Sequence, residues 1–151
     1  MLGGKVRAVA GAAFLFLAGC GVANDATVIA EPNSPAISSS GVLLEPVGIE
    51  TLGGVFTPLL VQGCKLPCTA RQTFSTAEDQ QGQISVHLLR GSAAVAKANH
   101  TLGNYQISGF KPDRRGEPRV AVEFRADAQG ISLRAIDQHN GAPLVVRRIA
   151  P

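Results

Sequence analysis

The sequence has no tryptophan, one tyrosine and six phenylalanines, so any core it builds must be largely aliphatic. It also lacks a basic stripe. The pI near 9.0 and formal charge of +3 invite a nucleic-acid reading. Lys5 and Arg7, however, precede an apolar run and would leave with it, reducing 14 basic residues to 12 against 11 acidic ones, a net +1. Binding to phosphate needs cations gathered on one face. The closest groups, Arg114-Arg115 with Arg119 and Arg147-Arg148, are too sparse and read as solvated strand or loop positions. Nucleic acid is therefore not an expected partner.

Signatures of catalysis are missing as well. His87, His100 and His139 are scattered, with no HExxH or comparable spacing. No serine sits in a nucleophile elbow, and no phosphate-cradling or dinucleotide glycine pattern occurs, "LGGVF" being too short to count as one. The chain is expected not to be an enzyme, with no catalytic residue, nucleotide, cofactor or metal.

What is present fits one domain. The 151 residues are 45% hydrophobic and 17% charged, a globular balance, and 17 glycines with 9 prolines favour short strands and many turns. Residues 1–19 have the layout of a secretory signal: Lys5 and Arg7, an apolar stretch from Ala8 to Leu17, then small residues. The stretch is short of the roughly 20 apolar residues a bilayer crossing needs. Its end, Leu17-Ala18-Gly19-Cys20, resembles the lipobox of bacterial lipoproteins. That resemblance implies lipidation of Cys20 and attachment to the cell envelope. Gly21 after the cysteine, where aspartate would hint at inner-membrane retention, favours the outer membrane, facing the periplasm. An ordinary signal peptide with a chance cysteine, or a plain membrane anchor, is the alternative. Residues 20–41 then read as the lipidated cysteine and a flexible tether rich in Ala, Ser, Pro and Asn, spanning roughly 25 Å as a coil.

From Val42 to the end at Pro151 the apolar period is two. "QISVHLL" sets Ile84, Val86 and Leu88 against Gln83, Ser85 and His87, and "RVAVEFRA" sets Val120, Val122 and Phe124 against Arg119, Glu123 and Arg125. "DAQG" at 127–130 predicts a hairpin turn into "ISLRAI", and "PLVVRRI" a last strand. Further turns are expected at Gly53-Gly54, Gln62-Gly63, Gln81-Gly82, Gly103-Asn104, Arg115-Gly116 and Asn140-Gly141. The helix-like stretch is "SAAVAKAN" at 92–99, a turn or two. The fold class expected is all-β, an antiparallel β-sandwich.

"GIETLGGVFTPLL", "QTFSTAEDQQGQISVHLLRG", "LGNYQISGF" and "RRGEPRVAVEFRADAQGI", in that order, closely resemble the substrate-binding β-domain of the seventy-kilodalton heat-shock chaperones (DnaK type). The likeness covers Val42 to Ile149. It implies a groove that binds unfolded or extended polypeptide segments. Family members also have an ATPase domain and a helical lid; here a signal and tether stand before the matching region and the sequence stops after it. The expectation is a lipid-anchored, ATP-independent holdase that binds weakly and exchanges fast.

By motif match, Leu52 and Ala77 correspond to the pair that arches over the peptide. Val47, Ile49, Thr51, Phe74, Ile84, Val86 and Val120 match the lining of a central pocket. Thr51, Leu52, Ser75, Ala77 and Gln81 match positions in polar or backbone contact with the guest. Backbone hydrogen bonds ignore sequence, and one apolar pocket selects a leucine-like side chain. The plain alternative is that Ile49, Phe74 and Val86 are core. Arg115 matches a residue that latches the family's lid and otherwise reads as a surface charge. Gly53 and Gly54 serve a tight turn beside the groove, or simply a hairpin.

Cys64 and Cys68 flank "KLP". An extended segment would hold them too far apart to bridge, but Gln62-Gly63 and Pro67 can fold it, and a periplasmic setting oxidises thiols. A structural disulfide ranks above a redox pair, which lacks CxxC spacing, and above a metal site. A second functional reading stays open: an envelope interaction module whose groove serves a dedicated partner protein or is filled by the chain itself, for instance by "GVLLEPV".

Overall fold

A computed structural model describes residues 25–29 and 35–150; the signal-like segment and Cys20 lie outside the described residues. Among the described residues nine strands follow in order: β1 (Asp25–Ile29), β2 (Val47–Thr51), β3 (Val55–Leu60), β4 (Cys68–Phe74), β5 (Gln83–Arg90), β6 (His100–Ser108), β7 (Val120–Asp127), β8 (Gly130–Asp137) and β9 (Val145–Ile149). They form a four-stranded sheet, β1-β8-β7-β4, and a five-stranded sheet, β3-β2-β5-β6-β9. Every ladder is antiparallel. This is the expected β-sandwich.

The alternation read from the sequence sets the inner faces. Ile84, Val86 and Leu88 of β5, Val120, Val122 and Phe124 of β7, and Ile131 and Leu133 of β8 are buried in one core with Val47, Ile49, Tyr105 and Ile107. Each such side chain withdrawn from water contributes about 1.5–3 kcal/mol. Phe74 reaches this core from the end of β4, its ring edge-on to Phe124 with centroids 6.4 Å apart. The "DAQG" hairpin forms as expected: the Asp127 carboxylate accepts the Gln129 N–H at 2.9 Å, and the strands close across Asp127↔Gly130.

Three expectations need correction. Residues 20–41 are not tether throughout. Asp25–Ile29 pair with β8 from Asp25↔Arg134 to Ile29↔Gly130, and Leu44 N–H donates to Ala36 O at 2.8 Å while Ile37 bridges Leu43. The β-branched run Thr27-Val28-Ile29 suits a strand, and the bare edge of β8 supplies backbone partners that composition cannot reveal. Leu43, from the apolar "GVLLEPV", is itself buried in the core, whereas Leu44 is half exposed.

Gly103-Asn104 is not a turn but lies within β6. Gly103 faces Leu88, and a Cβ there would stand 2.8 Å from the Tyr105 hydroxyl oxygen, so the glycine makes room for the tyrosine ring. Lastly, strict alternation fails at the end of β5. A bulge between Leu88 and Leu89 buries both: Leu88 in the main core, Leu89 in a second cluster with Phe56 and Ala96. Ala96 belongs to the short 3-10 turn Ala96–Ala98, the helical piece expected within 92–99. Asn99 braces that connection, its side-chain amide donating to Ala93 O and Val95 O.

Cys64 and Cys68 are joined as a disulfide, their Cα atoms 6.3 Å apart. The loop between them is closed by Leu43 N–H donating to Cys64 O, and Leu66 N–H to Gly41 O. Reducing this bridge should lower unfolding free energy by about 2 kcal/mol, the loop-closure value for so short a ring, read from urea titrations with and without reductant. A sharper loss is expected for Gly48→Ala. Its Cβ would fall 2.1 Å from the Thr57 carbonyl oxygen on β3, a backbone clash that should cost about 3 kcal/mol or more in the same titration.

Candidate peptide groove

The feature that could admit a foreign chain begins where β2 leaves β5. The two strands pair from Val47↔Arg90 to Ile49↔Leu88 and no further. β2 goes on pairing with β3 to Thr51↔Val55, and β5 goes on pairing with β6 to Gln83↔Ser108. Among the described ladders, the β2-facing edge of β5 from Gln83 to His87 therefore has no strand partner. An edge of this kind carries backbone donors and acceptors that an extended segment can use.

The hairpin that peels away turns at residues 52–54. Gly54 N–H donates to Thr51 O at 3.1 Å, and Gly53 and Gly54 hold φ of 86° and 73°. A Cβ on Gly53 would meet nothing. These glycines are there for the positive φ of the turn; close backbone approach is the business of Gly48. Leu52, at the tip, is fully exposed at 100%. The connection after β5 runs along the outer edge of the hairpin, with Phe56 N–H donating to Ala94 O and Ala96 N–H to Gly54 O.

The loop at 75–82 is tied down by its own side chains. Ser75 donates to Pro118 O at 2.6 Å. The Gln81 amide oxygen accepts Ala77 N–H and Glu78 N–H, and its nitrogen donates to Gln83 O. Thr51 likewise spends its hydroxyl within the hairpin, donating to Val55 O and lying 3.0 Å from the Thr57 hydroxyl. The polar side chains expected to meet a guest thus shape the loops.

The expected site residues fall into two sets. Leu52, Ser75 and Ala77 are exposed, and Thr51, Phe74 and Gln81 are half-buried. Val47, Ile49, Ile84, Val86 and Val120 are between 0% and 5% exposed and belong to the central core. Arg115 is an exposed loop residue whose backbone N–H donates to the Asp79 carboxylate at 2.9 Å. Two cavities lie elsewhere. One of about 240 Å3 is lined by Phe110, Pro118, Asp137 and His139, and one of about 380 Å3 by Arg71, Glu123, Arg134 and Ile136. Neither is lined by an expected pocket residue.

Residues 20–144 match the family described as Hsp70 protein. This chain belongs to the Hsp70 family. Membership supports a role of chaperone type in binding polypeptide segments. Among the described residues of this Hsp70-family chain, no three His, Cys, Asp or Glu side chains gather as a metal site would require.

Sequence reasoning missed Glu50, His87 and Thr101, which meet where the hairpin departs: His87 Nδ1 lies 2.6 Å from Glu50 Oε2, and its Nε2 lies 3.0 Å from Thr101 Oγ1. The outward position of His87 in the alternation was the available signal. Two substitutions separate the tip from the floor. Ile84→Ala should cost about 2–5 kcal/mol of stability, whereas Leu52→Ala should stay within about 0.5 kcal/mol, both read by thermal and urea unfolding.

Proposed function

We propose that this chain is a peptide-holding module of the Hsp70 substrate-binding type, in which residues 42–151 retain extended apolar segments of unfolded proteins without ATP. The observation that carries the reading is the parting of β2 from β5 beyond Ile49↔Leu88, with Leu52, three residues further on, fully exposed. A guest backbone would bond to the open edge and loops, and one leucine-like side chain would seek the apolar floor of Ile84, Val86 and Val120 under the Leu52–Ala77 arch. Burying it is worth about 1.5–3 kcal/mol before ordering costs, so binding is weak and exchange fast. The module acts as a non-catalytic holder.

Anchoring completes the proposal. The signal-like residues 1–19 and the lipobox-like Leu17-Ala18-Gly19-Cys20 support lipidation of Cys20 and a place in the bacterial cell envelope, on the outer membrane facing the periplasm. The Cys64–Cys68 bridge suits that oxidising compartment. Only residues 21–24 separate Cys20 from β1, so the sandwich would ride close to the lipid surface.

A second reading has an observation of its own. The floor residues are shut from solvent in the core, which favours a groove filled by the chain itself or reserved for one envelope partner. Titration of a fluorescent Leu-rich heptapeptide into the full chain in detergent separates the two. The holdase reading expects saturable binding in the micromolar to millimolar range, weakened by Leu52→Asp with stability unchanged. No binding at millimolar peptide to the folded protein would reject it in favour of the second. For the anchor, metabolic labelling with a fatty acid should mark the native chain and not Cys20→Ser.

A further inference from the structure

The two loops beside the groove are held in different ways. Loop 75–82 is welded to the 109–119 loop by backbone bonds, Gln80 N–H to Asp113 O at 2.7 Å and Gly116 N–H to Thr76 O at 3.0 Å, with the Arg115 N–H on the Asp79 carboxylate besides. The β2–β3 hairpin has no ladder to β5 past Ile49. Its outer edge is bonded to the connection after β5, Phe56 N–H to Ala94 O and Ala96 N–H to Gly54 O, and across the fork its stem is tied to β5 and β6 by a relay of side chains, Glu50 to His87 to Thr101. Glu50 is the next residue after the last ladder pair and His87 the residue facing it, so the hydrogen-bonded pair sits at the fork itself.

We infer that Glu50, His87 and Thr101 form a latch that holds the hairpin against β5 and sets how fast the groove opens. Both ring nitrogens of His87 are engaged, which fixes the imidazole in orientation as well as position. His87 is half-buried and Glu50 more open, with side-chain exposures of 27% and 40%. A pair of that kind is a modest restraint and therefore a reversible one. The floor residues lie under 6% exposed, so a guest side chain reaches them only if something moves. Both loops are bonded by backbone to a neighbouring segment, but only the hairpin has a side-chain joint at the fork, so the hairpin, moving with the connection on its outer edge, is the better candidate. The consequence for guests rests on the peptide-holding reading; the latch itself does not.

The test is amide hydrogen exchange on the full chain. Gly54 and Phe56, whose N–H groups bond to Thr51 O and Ala94 O, report the hairpin, and the β7–β8 amides serve as internal control. Glu50→Ala and His87→Ala should each speed hairpin exchange about two- to fivefold while the control amides stay unchanged. The double variant should be no faster than the faster single, because each partner acts through the other. Thr101→Ser should keep native exchange and Thr101→Val should not. Unchanged hairpin exchange in both single variants, or single effects that multiply in the double, would overturn the latch. With the heptapeptide, both variants should show faster association and faster dissociation. If the heptapeptide fails to bind the native chain, the peptide-holding reading falls, and the exchange results still decide the latch.

Discussion

Everything in this molecule depends on two apolar rows meeting between the sheets. Ile84, Val86 and Leu88 of β5 and Val120, Val122 and Phe124 of β7 belong to one buried core, and β5 and β7 are each held in their own sheets by long ladders, to β6 and to β4 and β8. Because β5 is secured by its inner face and by β6, it tolerates the loss of β2 beyond Leu88. A strand held by one edge alone would fray under the same loss. The fork is possible because the core below it is closed.

That arrangement also explains why one set of residues answers to two descriptions. A pocket for a leucine-like side chain and the interior of a sandwich ask for the same thing, aliphatic groups facing inward. Ile84 and Val86 satisfy both, at 5% and 3% exposure. On the proposed reading, the difference between holding a guest and being self-filled lies in whether the hairpin can swing. Ser75, Gln81 and Asp79 commit their side chains to fixing 75–82 and its neighbour, while the hairpin, bonded along its outer edge to the connection after β5, keeps a half-exposed hydrogen-bonded pair at its stem.

Much of the fold was legible in the chain. Period-two alternation placed β5, β7 and β8 and their inner residues, and "DAQG" and Gly53-Gly54 marked two hairpins. The misses share a cause. β1 has only five residues and is a strand because β8 offers it an edge more than 100 residues away in sequence. β6 was broken in the reading by Gly103-Asn104, since a glycine that yields space to a tyrosine ring looks locally like a glycine that turns the chain. The alternation read through Leu88 does not carry on to Leu89, which a bulge buries in a second cluster with Phe56 and Ala96. Each depends on a partner far along the chain.

The sequence by itself determined the class of fold, the inner rows of three strands and the motif series that resembles a peptide-binding domain, because side-chain period and turn chemistry act within a few residues. Tertiary structure alone decided that β2 and β5 part after Ile49↔Leu88 and that Glu50 and His87 meet at the parting. Those features are distances between segments, and no local preference encodes a distance; they arise only once the two sheets pack and fix which edges remain open.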